Sequence, residues 1–145
     1  MYTTCDETNP QKQCPAAAEI ERSWTVPHSH QAVAAVRQDV KCVLESCGVG
    51  RGTVDTATLV VSELTTNSIT HALPPVTLRV AVLGQRVIRI EVVDAGTSND
   101  VCQPANQSAD EHGRGNLIVS TLASRTGQLA YFGRVTRWAE VPVAE

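Results

Sequence analysis

The alternation of apolar and polar positions divides the chain into eight elements. Residues 22–27 (Arg-Ser-Trp-Thr-Val-Pro) suit a short first strand that Pro27 ends. Val33, Val36, Val40, Val43, Leu44 and Cys47 then recur at helical spacing, between Ser29 as N-cap and Gly48 as stop. A second helix is capped by Thr53 or Asp55 and turns Ala57, Val60, Val61, Leu64, Ser68 and Ala72 inward. Pro74-Pro75 ends it. The period then changes to two. Leu78, Val80 and Val82 share one face of a strand over 76–83, and Ile88, Ile90 and Val92 share one face of a strand over 87–93. Gly84-Gln85 is read as a two-residue hairpin loop between them. Residues 94–112 are polar and form a long loop, a kind that compact domains usually keep for function. Gly113-Arg114-Gly115 opens a third helix with Leu117, Ile118 and Leu122 inward, stopping near Gly127. Strands over 128–132 and 135–141, joined at Gly133-Arg134, complete the pattern. The order β, α, α, β, β, loop, α, β, β predicts an α+β fold, with helices on one face of a mainly antiparallel sheet.

Composition narrows the function classes. Residues 1–21 are polar and proline-punctuated without a period, which predicts a flexible tail before one domain over 22–145. With 42% hydrophobic and 19% charged residues, the chain is an ordinary globular sequence and not a collagen, a coiled coil or a disordered polymer. A net charge of -3 argues against an electrostatic nucleic-acid footprint, and 3% aromatics argue against a base-stacking platform. No apolar run approaches the roughly 20 residues that a bilayer span requires. The N-terminus lacks a basic start followed by an apolar stretch, so no secretory signal is expected, and a reducing, cytoplasmic setting is. Cys5, Cys14, Cys42, Cys47 and Cys102 are odd in number with no CxxC pair, which fits reduced thiols better than a zinc site.

Three local patterns carry candidate chemistry. On the second helix Glu63, Asn67 and His71 follow at i, i+4 spacing, so they stack on one side. A carboxylate one turn from a carboxamide suits a divalent cation, because the amide oxygen can ligate magnesium while the carboxylate orients or deprotonates a nucleophile. Asp94-Ala95-Gly96 ends a strand. There an aspartate can accept from an exocyclic amine, and Gly96 lets a ring approach the backbone; the same sequence is also an everyday turn. Gly113-Arg114-Gly115 opens a helix whose free N–H groups attract anions such as phosphates.

In this order the three patterns resemble the nucleotide-binding boxes of the GHKL ATPase superfamily, and within it the bacterial anti-sigma-factor serine/threonine kinases. Residues 59–72 (Leu-Val-Val-Ser-Glu-Leu-Thr-Thr-Asn-Ser-Ile-Thr-His-Ala) resemble the asparagine-box helix. Val92-Val93-Asp94-Ala95-Gly96 resembles the first glycine box, His112-Gly113-Arg114-Gly115 the second, and Thr136-Arg137-Trp138-Ala139-Glu140 the closing strand. No P-loop and no protein-kinase signature set is present.

The resemblance implies a Bergerat-type two-layer sandwich that binds ATP and Mg2+. It implies Glu63 as the general base and Asn67 as the magnesium ligand. Asp94 would read the adenine amine, with Gly96 beneath the ring and Thr136 supporting the adenine. Gly113 and Gly115 would cover the phosphates. Arg114 would face phosphate or solvent, and Asn116, standing where the family usually has an apolar residue, can donate to a phosphate. It further implies a homodimer that sequesters a sigma factor and phosphorylates a STAS-type anti-sigma-factor antagonist, with no direct contact to nucleic acid or membrane. A non-catalytic module that only sequesters a protein partner is the alternative.

Overall fold

The computed structural model describes residues 18–84, 86–97 and 114–144. Five strands form one antiparallel sheet: β1 (Ala18–Val26), β2 (Val76–Leu83), β3 (Val87–Asp94), β4 (Arg125–Tyr131) and β5 (Arg134–Pro142). Their spatial order is β1-β2-β3-β5-β4, so the last strand in sequence lies between β3 and β4. Three helices lie on one face: α1 (His30–Ser46), α2 (Arg51–His71) and α3 (Arg114–Leu122). Helix α2 contacts both α1 and α3 as well as β2, β3 and β5. The fold is therefore α+β, a two-layer sandwich of helices on an antiparallel sheet.

The local reasons follow the sequence closely. Ser29 caps α1, its hydroxyl accepting from the Gln31 N–H at 3.2 Å. Val33, Val36, Val40 and Leu44 form the buried stripe of that helix. The inward positions of β2 and β3 (Leu78, Val80, Val82, Ile88, Ile90 and Val92) join them in the core. Cys42 and Cys47 on and after α1 are free thiols.

Several boundaries differ from the sequence expectation. Strand β1 begins at Ala18, inside the stretch read as tail, because pairing continues along β2 as far as Leu83. Residues 1–17 lie outside the described residues. Helix α2 starts at Arg51 after Gly50, with no side-chain cap. Thr53, expected as its cap, instead accepts from the Ala144 N–H at 3.2 Å. Leu83 pairs with Val87, so three residues separate β2 from β3 rather than two. On α3 it is Val119 that is buried, whereas Leu117 points outward at 66% exposure. The β4–β5 turn is Phe132-Gly133, one residue earlier than expected, with both φ angles positive (47° and 76°). Two positive φ values define the hairpin turn whose twist matches its strands.

The sheet face away from the helices carries an ionic ladder. Arg79 pairs with Glu21 and Glu91, Arg89 with Glu91 and Glu140, and Arg125 with Glu140. The Trp138 ring lies beneath the Arg89 guanidinium, 4.1 Å from its centroid, and over Gly127, where a Cβ would fall 2.5 Å from the ring. Burial pushes the Arg89 pKa down, but hydrogen bonds and charge attraction from Glu91 and Glu140 outweigh it and hold the group above the ordinary arginine value.

Candidate functional site

The alternation that fills the core also delivers the site. On β3 the inward series Ile88, Ile90, Val92 continues to Asp94, the last residue of the strand. A carboxylate thus occupies a core position, its side chain 0% exposed. Three donors satisfy it. Ser68 Oγ, from α2, donates to Oδ2 at 2.5 Å. Arg137 Nη1, from β5, donates to the same oxygen at 2.7 Å. The Gly96 N–H closes the turn onto Oδ1 at 2.8 Å. Gly96 has φ 76°, which favours glycine.

The turn is fixed to the end of α2 by two further bonds. The Leu73 N–H donates to the Gly96 carbonyl, and the Ala95 N–H donates to the Leu73 carbonyl, each at 3.0 Å. Ser68 is on α2 one residue after Asn67, and Glu63 is one turn before Asn67. Both Glu63 and Asn67 are half-buried, whereas His71 is exposed. The helix and the end of β3 therefore form one assembly. It holds a buried carboxylate bonded by three donors beside a helix that carries a half-buried carboxylate and a half-buried carboxamide. Those two oxygen donors suit a hard cation that keeps most of its ligands from water and phosphate. Among the described residues no group of three or more His, Cys, Asp or Glu is arranged to hold a metal by itself.

The remaining expected site residues fare differently. Gly113 lies outside the described residues. Arg114, Gly115 and Asn116 form the first turn of α3. Thr136 requires a correction. It pairs with Val93, on the sheet face away from the helices, so it does not accompany Asp94. Strand period decides this: Val135, Arg137, Ala139 and Val141 are the buried residues of β5, and Thr136 falls between them. The residue that accompanies Asp94 is Arg137, placed diagonally from it across the β3–β5 pair.

A model of the histidine kinase-like ATPase domain matches residues 26–131, well over half of the chain. The chain belongs to this family. The match runs from the end of β1 to the end of β4 and so includes Ser68, Asp94 and Gly96 but not Arg137. No curated protein sequence matches this ATPase-family domain significantly. Its fold is similar to that of the RsbU and RsbW domains of Rv1364c from Mycobacterium tuberculosis, with TM-score 0.68 and 16% identity over 87% of this chain. The chain spans about a third of that protein's length (33%). It is also similar to the SiaB-SiaC complex from Pseudomonas aeruginosa, with TM-score 0.61 and 11% identity over 84% of this chain and 89% of that one. At these identities the likeness is one of fold. The domain contains no helix, among its described residues, that is long and apolar enough to cross a membrane.

Sequence reasoning missed Arg137 and the bonding role of Ser68 in this domain. The signal for Arg137 was present: alternation from Val135 to Val141 puts a cation at a core position, and a buried cation needs a carboxylate partner.

Proposed function

We propose that this domain is an anti-sigma factor with ATP- and magnesium-dependent serine/threonine kinase activity. It sequesters a sigma factor and phosphorylates a STAS-type anti-sigma-factor antagonist, as a cytoplasmic homodimer. The observation that supports this reading is the Ser68–Asp94 bond, which ties the helix bearing Glu63 and Asn67 to the strand end that would receive the base. The family and the fold likeness to an RsbW-containing protein and to SiaB, found in a complex with SiaC, support it.

In this reading the Asn67 amide oxygen would hold a magnesium ion, and that ion would supply charge neutralisation for the phosphates. Asp94 and Gly96 receive the adenine. Gly113, Arg114, Gly115 and Asn116 line the phosphate side. Glu63 takes the proton from a serine or threonine hydroxyl as that oxygen bonds to the terminal phosphorus and the bridge to the second phosphate breaks. Phosphoryl transfer is mostly positioning and charge neutralisation, so this short set of groups is chemically sufficient.

Thermal unfolding with and without magnesium-ATP tests nucleotide binding. Ligand at about 100 times its Kd adds roughly 2.7 kcal/mol, several degrees for a domain of this size. Asn67→Ala should abolish the rise. Transfer of label from γ-labelled ATP to STAS-domain proteins of the same genome tests the chemistry, and full transfer by Glu63→Ala would remove Glu63 as the base. A nucleotide-free sequestering module is the second reading. The complete burial of Asp94 favours it, and absence of any rise at millimolar nucleotide would select it.

A further inference from the structure

We propose that the outer edge of β4 is the surface through which two copies of this chain meet, their β4 strands running antiparallel about Gln128. The inference rests on the homodimer of the reading above and deepens it by naming where the copies join.

The two edges of the sheet are unlike. The outer strand β1 presents Glu21, Arg22, Ser23 and Thr25 to solvent, and charged side chains discourage an edge from recruiting other strands. β4 closes the opposite side, with β5 as its one neighbour among the described residues. Its one charged residue is Arg125. It exposes Leu129 and Tyr131, and the turn that follows exposes Phe132. Among the described residues, no other strand or strand turn exposes a large apolar side chain.

Backbone geometry selects the pairing. Tyr131 and Arg134 flank a two-residue turn and so form a hydrogen-bonded pair. Bonded pairs recur at every second residue, so Thr126 and Ala130 turn their N–H and C=O groups away from β5, to the outer edge. Antiparallel pairing about Gln128 uses the whole strand. It sets Thr126 opposite the partner's Ala130, and the two exchange main-chain bonds. On the face away from the helices, Leu129 then lies beside the partner's Gly127, the strand position without a side chain. Arg125 lies beside the partner's Tyr131, a cation against an aromatic ring. Charge favours the same direction. The two Arg125 groups stand at opposite ends of the contact, about 20 Å apart at about 3.4 Å per residue, well beyond the Debye length of about 8 Å. Parallel strands in register would set them side by side.

Sedimentation velocity of the full chain over a concentration series tests this, and the wild type should dimerise. Ala130→Pro removes an N–H at the outer edge without removing a bond to β5, and Leu129→Lys places a charge in the apolar contact. Each should raise the dimer Kd about tenfold or more while leaving the circular dichroism unchanged. Cross-linking reads the register. With the native cysteines changed to serine, a chain carrying both Thr126→Cys and Ala130→Cys should form a covalent dimer on mild oxidation. Neither single substitution should, because like positions stand about 13 Å apart. A dimer that neither edge variant weakens, or that the double variant does not cross-link, overturns the inference and leaves the homodimer standing. Should Ala130→Pro fail to fold, Leu129→Lys, at an exposed position, decides with the cross-link. A wild type that stays monomeric overturns the inference together with the homodimer, while nucleotide binding is judged by the unfolding assay above.

Discussion

Replacing Arg137 by methionine measures how strongly the buried ion pair holds the domain together. The two side chains are 7% and 0% exposed, so solvent screens their attraction little. Methionine keeps most of the apolar stem, and what is lost is chiefly the charge and its bond of 2.7 Å to Asp94. Removing one partner of a buried pair costs about 3–5 kcal/mol, because the other charge is left in a poorly solvating interior. Asp94 retains its bonds from Ser68 and Gly96, which places the expected loss near the lower limit, about 3 kcal/mol. That is a large share of the roughly 5–15 kcal/mol typical of a domain, and it corresponds to a fall in Tm of about 10 °C. Urea unfolding followed by circular dichroism supplies the measurement. Arg79→Met is the comparator, since its pairs with Glu21 and Glu91 are half-exposed and should contribute less than about 1 kcal/mol. A loss for Arg137→Met no greater than that for Arg79→Met would refute the reasoning. Replacing both Arg137 and Asp94 by apolar residues should recover much of the loss.

Further predictions concern single positions. The Thr65 hydroxyl is fully buried with no partner among the described residues, so Thr65→Val should raise stability by about 1 kcal/mol in the same urea assay. Gly127→Ala must push the Trp138 ring aside and away from Arg89; it should cost about 1–3 kcal/mol and change the tryptophan emission. Phe132 holds a left-handed backbone at 86% exposure, so Phe132→Asn should stabilise by about 1 kcal/mol, and a loss of stability would mean that the ring makes contacts worth more than the strain.

Much of this architecture is written in local periodicity. The limits of β2, the cap at Ser29 and the inward stripes of α1 and α2 follow from rules that act over a few residues. The start of β1 does not, because a strand ends where its partner ends, and Ala18 is paired through Leu83 rather than through any property of its own neighbours. Leu117 misled because α3 has only nine residues, too few for apolar spacing alone to fix the buried face. At the site, the spacing of Glu63 and Asn67 and the strand-end Asp94 are readable from sequence. The exchange of Thr136 for Arg137 was readable too, by following the alternation of β5 to its end. The Ser68–Asp94 bond was not: it joins residues 26 positions apart, and only the packing of α2 on the sheet brings them together.

The place of β5 in the sheet has a consequence for biosynthesis. The strand inserted between β3 and β4 is the last in the sequence. While the ribosome is still making residues 134–142, β3 has an open edge and β4 has no neighbour at all. An unpaired edge invites association with other chains. The guanidinium that neutralises Asp94 also arrives only with this strand. Until then the nascent chain carries a carboxylate at a core position without its counter-charge, and the interior beside it cannot close. Completion of the sheet and charge-pairing of the buried carboxylate are thus one late event, and a chain truncated before β5 loses both together.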